Sequence, residues 1–187
     1  NMISLRPQKG HLLVAEPSII GDVSFNRAVV LLADHSPKGS IGFILNKPLK
    51  FTLNELVSGV DKPFKVFNGG PVEQDNLYFI HKRPDLIENS VEISHGMYWG
   101  GNFDTVLKLI NNGQLQPEDI RFFLGYSGWD KDQLEDEMDS NSWVVSENIY
   151  KNELISKCCQ NIWKNKMIEL GGEYSIWSNA PENPSYN

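Results

Sequence analysis

Cysteine is scarce in this chain: two among 187 residues, Cys158 and Cys159, and they are neighbours. Adjacent cysteines are poorly placed to bridge each other within a helix, and two thiols make no disulfide framework, so a cross-linked secreted scaffold is excluded. Long apolar runs are missing too. The longest, Ala28 to Ala33, falls far short of the roughly 18 residues a membrane helix needs. The opening Met2 to Lys9 has no apolar segment of the secretory kind, and Asn1 ahead of Met2 reads as the remnant of a cleaved tag. Together these absences point to a cytoplasmic protein that does not enter a membrane.

Positive charge is short as well. Seventeen Lys and Arg against 24 Asp and Glu leave a net charge of −7, the wrong sign for a phosphate backbone, so direct nucleic-acid binding is disfavoured. One local exception is basic: Lys47, Lys50, Lys62 and Lys65 face only Glu55 and Asp61 in their neighbourhood. Cofactor and metal signatures are absent. Gly96, Gly100 and Gly101 have neither the P-loop nor the dinucleotide spacing. The four histidines, His11, His35, His81 and His95, are scattered, with no Cys-x-x-Cys, His-x-His or His-Glu-x-x-His. The expectation is therefore no cofactor and no metal.

What is present is ordinary globular composition, 40% hydrophobic and 22% charged, enough for one domain over residues 2–187. Short apolar runs bounded by turn residues predict strands at 11–16, 27–33, 41–45, 65–67, 77–80, 91–93, 120–124 and 143–145. Ser36-Pro37-Lys38-Gly39 is a tight-turn sequence that joins two of them as a hairpin. Helices are predicted after the capping boxes Thr52/Glu55 and Asp130/Gln133, over Phe103 to Ile110 between Asn102 and Gly113, and from about Asn152 to Leu170 before Gly171-Gly172. Ser178 to Asn187 reads as an arm or a disordered tail, with Trp177 as its anchor. Strands and helices do not alternate strictly, which disfavours a parallel doubly wound sheet.

No residue is assigned a catalytic role. Ser127 lies in Gly125-Tyr126-Ser127-Gly128-Trp129, where the hydrolase elbow Gly-x-Ser-x-Gly would have its second glycine one place later. Cys158 and Cys159 fall inside the predicted long helix, away from its N-terminus, and read as core or lightly exposed thiols. Three glycine- or proline-bearing strand exits draw more interest: Asn46-Lys47-Pro48, Gly69-Gly70-Pro71, and Gly125 to Trp129. Such exits permit sharp turns or close approaches, and loops at strand ends are common binding positions. The binding candidates are Asn46, Lys47, Pro48, Gly69, Gly70, Pro71, Tyr126, Gly128 and Trp129, expected to meet at one groove with Tyr126 or Trp129 as an aromatic wall. The rival is an enzyme on a small metabolite, assembled from His35, His81, Tyr126 and Glu73, the two histidines each ending a predicted strand.

The same segments carry a family likeness. Gly10 to Ala15, Phe25-x-Arg27-x-Val29-Val30, His35, Gly42 to Pro48, Gly69 to Val72, Leu77 to His81, Gly125-Tyr126-x-Gly128-Trp129, Gln133-Leu134-Glu135-x-Glu137 and Trp143 stand in order. In these the sequence resembles the AlgH family (YqgE-like) of bacterial proteins over roughly residues 10–145. The resemblance implies a single α+β domain with a strongly bent, barrel-like mixed sheet surrounded by helices. It also implies a cytoplasmic protein often labelled a transcriptional regulator, without an established biochemical activity. No helix-turn-helix is evident here, so regulation through an unknown protein or small-molecule partner fits better than DNA contact. The family usually places Ala where this chain has Ser127, which further weakens a catalytic role for that serine.

Overall fold

Leu12 to Ala15 and Ala28 to Ala33 are apolar at every position, a pattern a strand tolerates when both its faces are covered. Both segments are fully buried. In the computed structural model, which describes residues 5–17, 19, 23–157 and 161–179, the strands are β1 (Leu12–Ala15), β2 (Val29–Ser36), β3 (Gly39–Ile44), β4 (Pro48–Thr52), β5 (Lys65–Asn68), β6 (Val72–His81), β7 (Val91–Ser94), β8 (Met97–Trp99), β9 (Ile120–Asp130) and β10 (Trp143–Ser146). The helices are α1 (Leu53–Leu56), α2 (Phe103–Asn111), α3 (Gln133–Asp139), α4 (Ile162–Leu170) and α5 (Glu173–Trp177), with 3₁₀ turns at Val23–Phe25 and Lys151–Ile155.

Among the described residues the strands run in the order β10-β1-β2-β3-β9-β6-β8-β7, with β5 on β9 and β4 on β5 as a side branch. Every pair is antiparallel except β5 with β9. The expected hairpin across Ser36-Pro37-Lys38-Gly39 is there, Ser36 opposite Gly39.

The expectation of a strongly bent, barrel-like sheet is overturned: the sheet is open, with β10 and β7 as unjoined ends. Closure would require those end strands to pair. Instead the sheet forks at β9. One edge of this long strand takes β5 along residues 122–124 and then β3 along residues 127–130, while β6 runs along the other edge.

Alternation distributes side chains among three cores. Leu12, Val14, Leu31, Phe43 and Phe123 pack with Trp163 and Met167 of α4. Their neighbours Leu13, Val30 and Ile44 pack with Trp129, Trp143 and Leu134 of α3. Phe122 turns away from Phe123 to join Val66, Phe79 and the buried face of α2, Val106, Leu109 and Ile110. That α2 face and its cap follow the predicted spacing, with Asn102 accepting the Thr105 N–H at 3.2 Å.

The single helix predicted over residues 152–170 is also overturned. Lys151–Ile155 is a 3₁₀ turn, and α4 starts only at Ile162 after Asn161 in the left-handed region, φ 71°. The physical reason lies outside the segment. The carbonyls of Leu154, Ile155 and Lys157, which an α-helix would pair internally, accept from the Arg121 guanidinium. Cys158, Cys159 and the tail from Ala180 lie outside the described residues. Trp177 is 46% exposed at the end of α5.

Candidate functional site

The three segments do come together, as a backbone junction at the fork, but Gly125 to Trp129 is no strand exit: it lies inside β9, which continues to Asp130 because β3 pairs along residues 127–130. The Asn68 N–H donates to Lys47 O at 2.8 Å, Gly69 N–H to Leu124 O at 2.8 Å, and Ile44 N–H to Gly69 O at 2.9 Å. Gly69 and Gly70 are needed for that approach. A Cβ on Gly69 would lie 2.3 Å from Gly125 O, and one on Gly70 2.3 Å from Tyr126 O. Ser127 is fully buried, and its hydroxyl donates to Gly69 O at 3.0 Å.

Much of the candidates' polar capacity is spent inside the fold. The Asn46 amide accepts from Val29 N–H at 2.9 Å and donates to Arg27 O at 2.8 Å. Lys47 Nζ donates to Asn26 O. Trp129 is 4% exposed, a core plug between Phe25 and Trp143. It is no groove wall. Tyr126 is half-buried with its ring edge-on to Tyr78, while Pro48 and Gly128 are exposed and Pro71 half-buried.

The rival constellation does not assemble. His81 pairs with Ile120 at the start of β9, whereas His35 pairs with Ser40, which pairs with Trp129 near its end. Nine strand residues separate the two by about 30 Å. His81 is buried; its Nδ1 accepts from Arg83 N–H at 3.0 Å, so Nε2 carries the proton towards Ser90 Oγ, 2.9 Å, and Gly100 O, 3.2 Å. Burial, the larger influence, holds its pKa below the usual 6.5 against the opposing pull of Gly100 O. Glu73 lies on the surface, its carboxylate held below the usual range by hydrogen bonds from Tyr78 and Asn76. Burial first and the Glu73 contact second push the Tyr78 phenol up.

His35 has a different setting. Its Nδ1 lies 2.5 Å from Ser40 Oγ, and its Nε2 lies 3.4 Å from Glu135 on α3. A cleft of about 290 Å³ lined by Ser40, Asp130 and Asp132 opens beside the pair, and Arg6, Met138 and Asp139 line a second recess that His35 and Glu135 share. Among the described residues no three His, Cys, Asp or Glu side chains are grouped to hold a metal ion. No described helix is long and apolar enough to cross a membrane.

A further recess is lined by none of the predicted binding candidates. Its volume is about 370 Å³, and Pro63, Phe64, Phe67, Pro117, Ile120 and Ile155 supply apolar walls. Arg121 forms part of the lining and is only 5% exposed. Its Nη2 donates to Leu45 O at 2.8 Å, its Nη1 to Ile155 O at 3.1 Å and Lys157 O at 2.9 Å, and the guanidinium carbon lies 3.9 Å over the Phe67 ring. Lys65, Lys157, Ser156 and Glu118 complete the lining. The signal was visible in the sequence: Arg121 is the one charge inside the apolar run Ile120 to Leu124.

The chain matches the AlgH-like family over residues 12–175. It is 40% identical over 183 residues to a UPF0301 protein of Chlorobium phaeobacteroides, covering 96% of each chain. It is 39% identical to a UPF0301 protein of Cytophaga hutchinsonii, covering 96% of this chain and 98% of the relative. The solution structure of the AlgH protein from Pseudomonas aeruginosa superposes with a TM-score of 0.73 at 25% identity, over 96% of this chain and 98% of that one. The crystal structure of protein DIP2367 from Corynebacterium diphtheriae shares the fold, with a TM-score of 0.77 at 20% identity over 96% and 95% of the two chains. Matched by the family over residues 12–175 and aligned almost end to end with its relatives, this chain belongs to the AlgH-like family.

Proposed function

We propose that the chain is a cytoplasmic, non-catalytic binding protein of the regulatory kind, and that a small ligand occupies the recess beside Arg121. One observation carries this reading: an arginine only 5% exposed, set among apolar walls around about 370 Å³ of space. Small-molecule sites have this size and this make-up, mostly apolar with a few placed polar groups. The recess also adjoins the strand exits. Arg121 holds Leu45 O, one residue before Asn46, and Phe67 pairs with Pro48. A ligand there would be sensed at Asn46-Lys47-Pro48, where a partner could read it.

The test is a thermal-shift screen of metabolites against the native chain and Ser156→Trp, in which an indole is added at an exposed lining position. Hits that stabilise the native chain and fail on the variant support the reading. Hits unaffected by the variant place the ligand elsewhere and overturn it.

One observation favours a second reading, an acyl-transfer enzyme. Ser40, His35 and Glu135 form a hydroxyl–imidazole–carboxylate chain beside a cleft. Against it, Asp130 and Asp132 line that cleft and would repel a developing oxyanion. Labelling of the native chain by a fluorophosphonate probe, lost in Ser40→Ala, would decide for the enzyme.

A further inference from the structure

The inference concerns what fills the Arg121 recess, and it rests on the binding reading just given. We infer that the recess takes an organic carboxylate with a compact apolar body.

The first argument is charge. The chain carries −7 overall, yet this recess is lined by Lys65, Arg121 and Lys157 against the single carboxylate of Glu118. A low-dielectric pocket focuses the field of its own lining, so an anion is favoured here although the protein as a whole repels it. The cation at the apolar walls is the buried one, and its screening by solvent is weakest.

The second argument is geometry. An arginine that grips a phosphate or a carboxylate directly offers two parallel N–H groups as an open fork. Arg121 spends Nη2 on Leu45 O and Nη1 on the carbonyls of Leu154, Ile155 and Lys157. It supplies positive potential from beneath, while the direct donor is the ammonium of exposed Lys65. One ammonium balances the single charge of a carboxylate, whereas a multiply charged phosphate would need several fixed donors to replace its hydration.

The third argument is the wall. Phe64, Ile120 and Ile155 are buried apolar side chains, and Pro63 and Pro117 add stiff rings. Such walls reward an apolar body and give nothing to a sugar or a polar metabolite. The ligand therefore sits with its hydrocarbon against Phe64, Ile120 and Ile155 and its carboxylate towards Lys65.

Calorimetric titration of the native chain with octanoate and with 2-naphthoate tests this, each against its neutral counterpart, octanamide or 2-naphthamide. The two arms distinguish an aliphatic from an aromatic source of the same chemistry. At least one carboxylate should bind, about tenfold or more tighter than its amide; Lys65→Glu should weaken it by about tenfold, and Ser156→Trp should abolish it. Circular dichroism of both variants establishes that they are folded. If an amide binds as tightly as its carboxylate, or neither carboxylate binds while screen hits are still blocked by Ser156→Trp, the ligand class falls and the site stands. If a carboxylate binds equally well to Ser156→Trp, the site and the inference both fall.

Discussion

Trp129 of β9 and Trp143 of β10 donate their indole N–H groups to the same carboxylate oxygen, Glu137 Oε1, at 3.1 and 3.0 Å. The two rings meet edge to face, 5.9 Å apart, and both are nearly fully buried. Glu137 thus satisfies two core donors from one turn of α3 and ties the helix to two strands. Glu137→Leu should leave both donors unpaired and cost about 2–4 kcal/mol, whereas Glu137→Gln keeps an acceptor and should cost about 1 kcal/mol. Urea unfolding followed by tryptophan fluorescence reads both. Equal losses for Leu and Gln would show that the acceptor oxygen is not what matters.

The fork at β9 predicts a steep contrast between neighbouring positions. Ser127→Ala removes one donor from Gly69 O, which still accepts from Ile44 N–H, so the loss should be about 1 kcal/mol. Gly70→Ala places a methyl against the Tyr126 backbone at 2.3 Å, at φ 151°. Backbone must move, and a loss above about 3 kcal/mol is expected. Equilibrium denaturation of the pair measures the contrast. Similar small losses at both positions would mean that the junction is loosely packed.

The legible parts of this fold were those with a local cause. Asn102, the apolar spacing through Ile110 and Gly113 mark α2, and Ser36-Pro37-Lys38-Gly39 marks the hairpin. The fork was not legible, because which strands share one edge of β9 depends on partners far apart in sequence. The broken helix after Lys151 has the same origin: its carbonyls are taken by Arg121, more than thirty residues away. Within Gly125 to Trp129 the left-handed backbone falls at Gly125, φ 74°, while Gly128 has no positive φ, and both sit inside β9. Of the site, the close approach of the three segments was readable from Gly and Pro, but not that β9 would run on through Trp129 or that Asn46 and Trp129 would be consumed internally.

His81 makes stability depend on pH. Burial lowers its folded pKa below the ordinary 6.5, so between those values the unfolded chain binds more protons than the folded one. The contribution is whole above the unfolded pKa and is lost as pH falls through the folded pKa. Protonation would also turn Nδ1, which accepts from Arg83 N–H, into a donor. Denaturant midpoints taken between about pH 7.5 and about pH 5.5 should fall for the native chain. They should fall less for His81→Gln, whose amide keeps one acceptor and one donor but does not titrate. Parallel curves for the two proteins would remove His81 as the cause.

Arg121 offers the sharpest separation of charge from shape. Lysine keeps the charge but has a single nitrogen, so Arg121→Lys cannot serve Leu45 O and the carbonyls of residues 154–157 together. Methionine keeps much of the stem and loses every donor. With several buried acceptors abandoned, Arg121→Met should cost about 2–4 kcal/mol, and Arg121→Lys should recover only part of it. The location of the damage matters more than its size. Amide exchange should rise first over Lys151–Lys157, which leans on the guanidinium, and only later in α2, whose core lacks Arg121. A uniform rise across the sheet would mean that Arg121 supports the whole fold, and the recess it lines would then be an incidental gap.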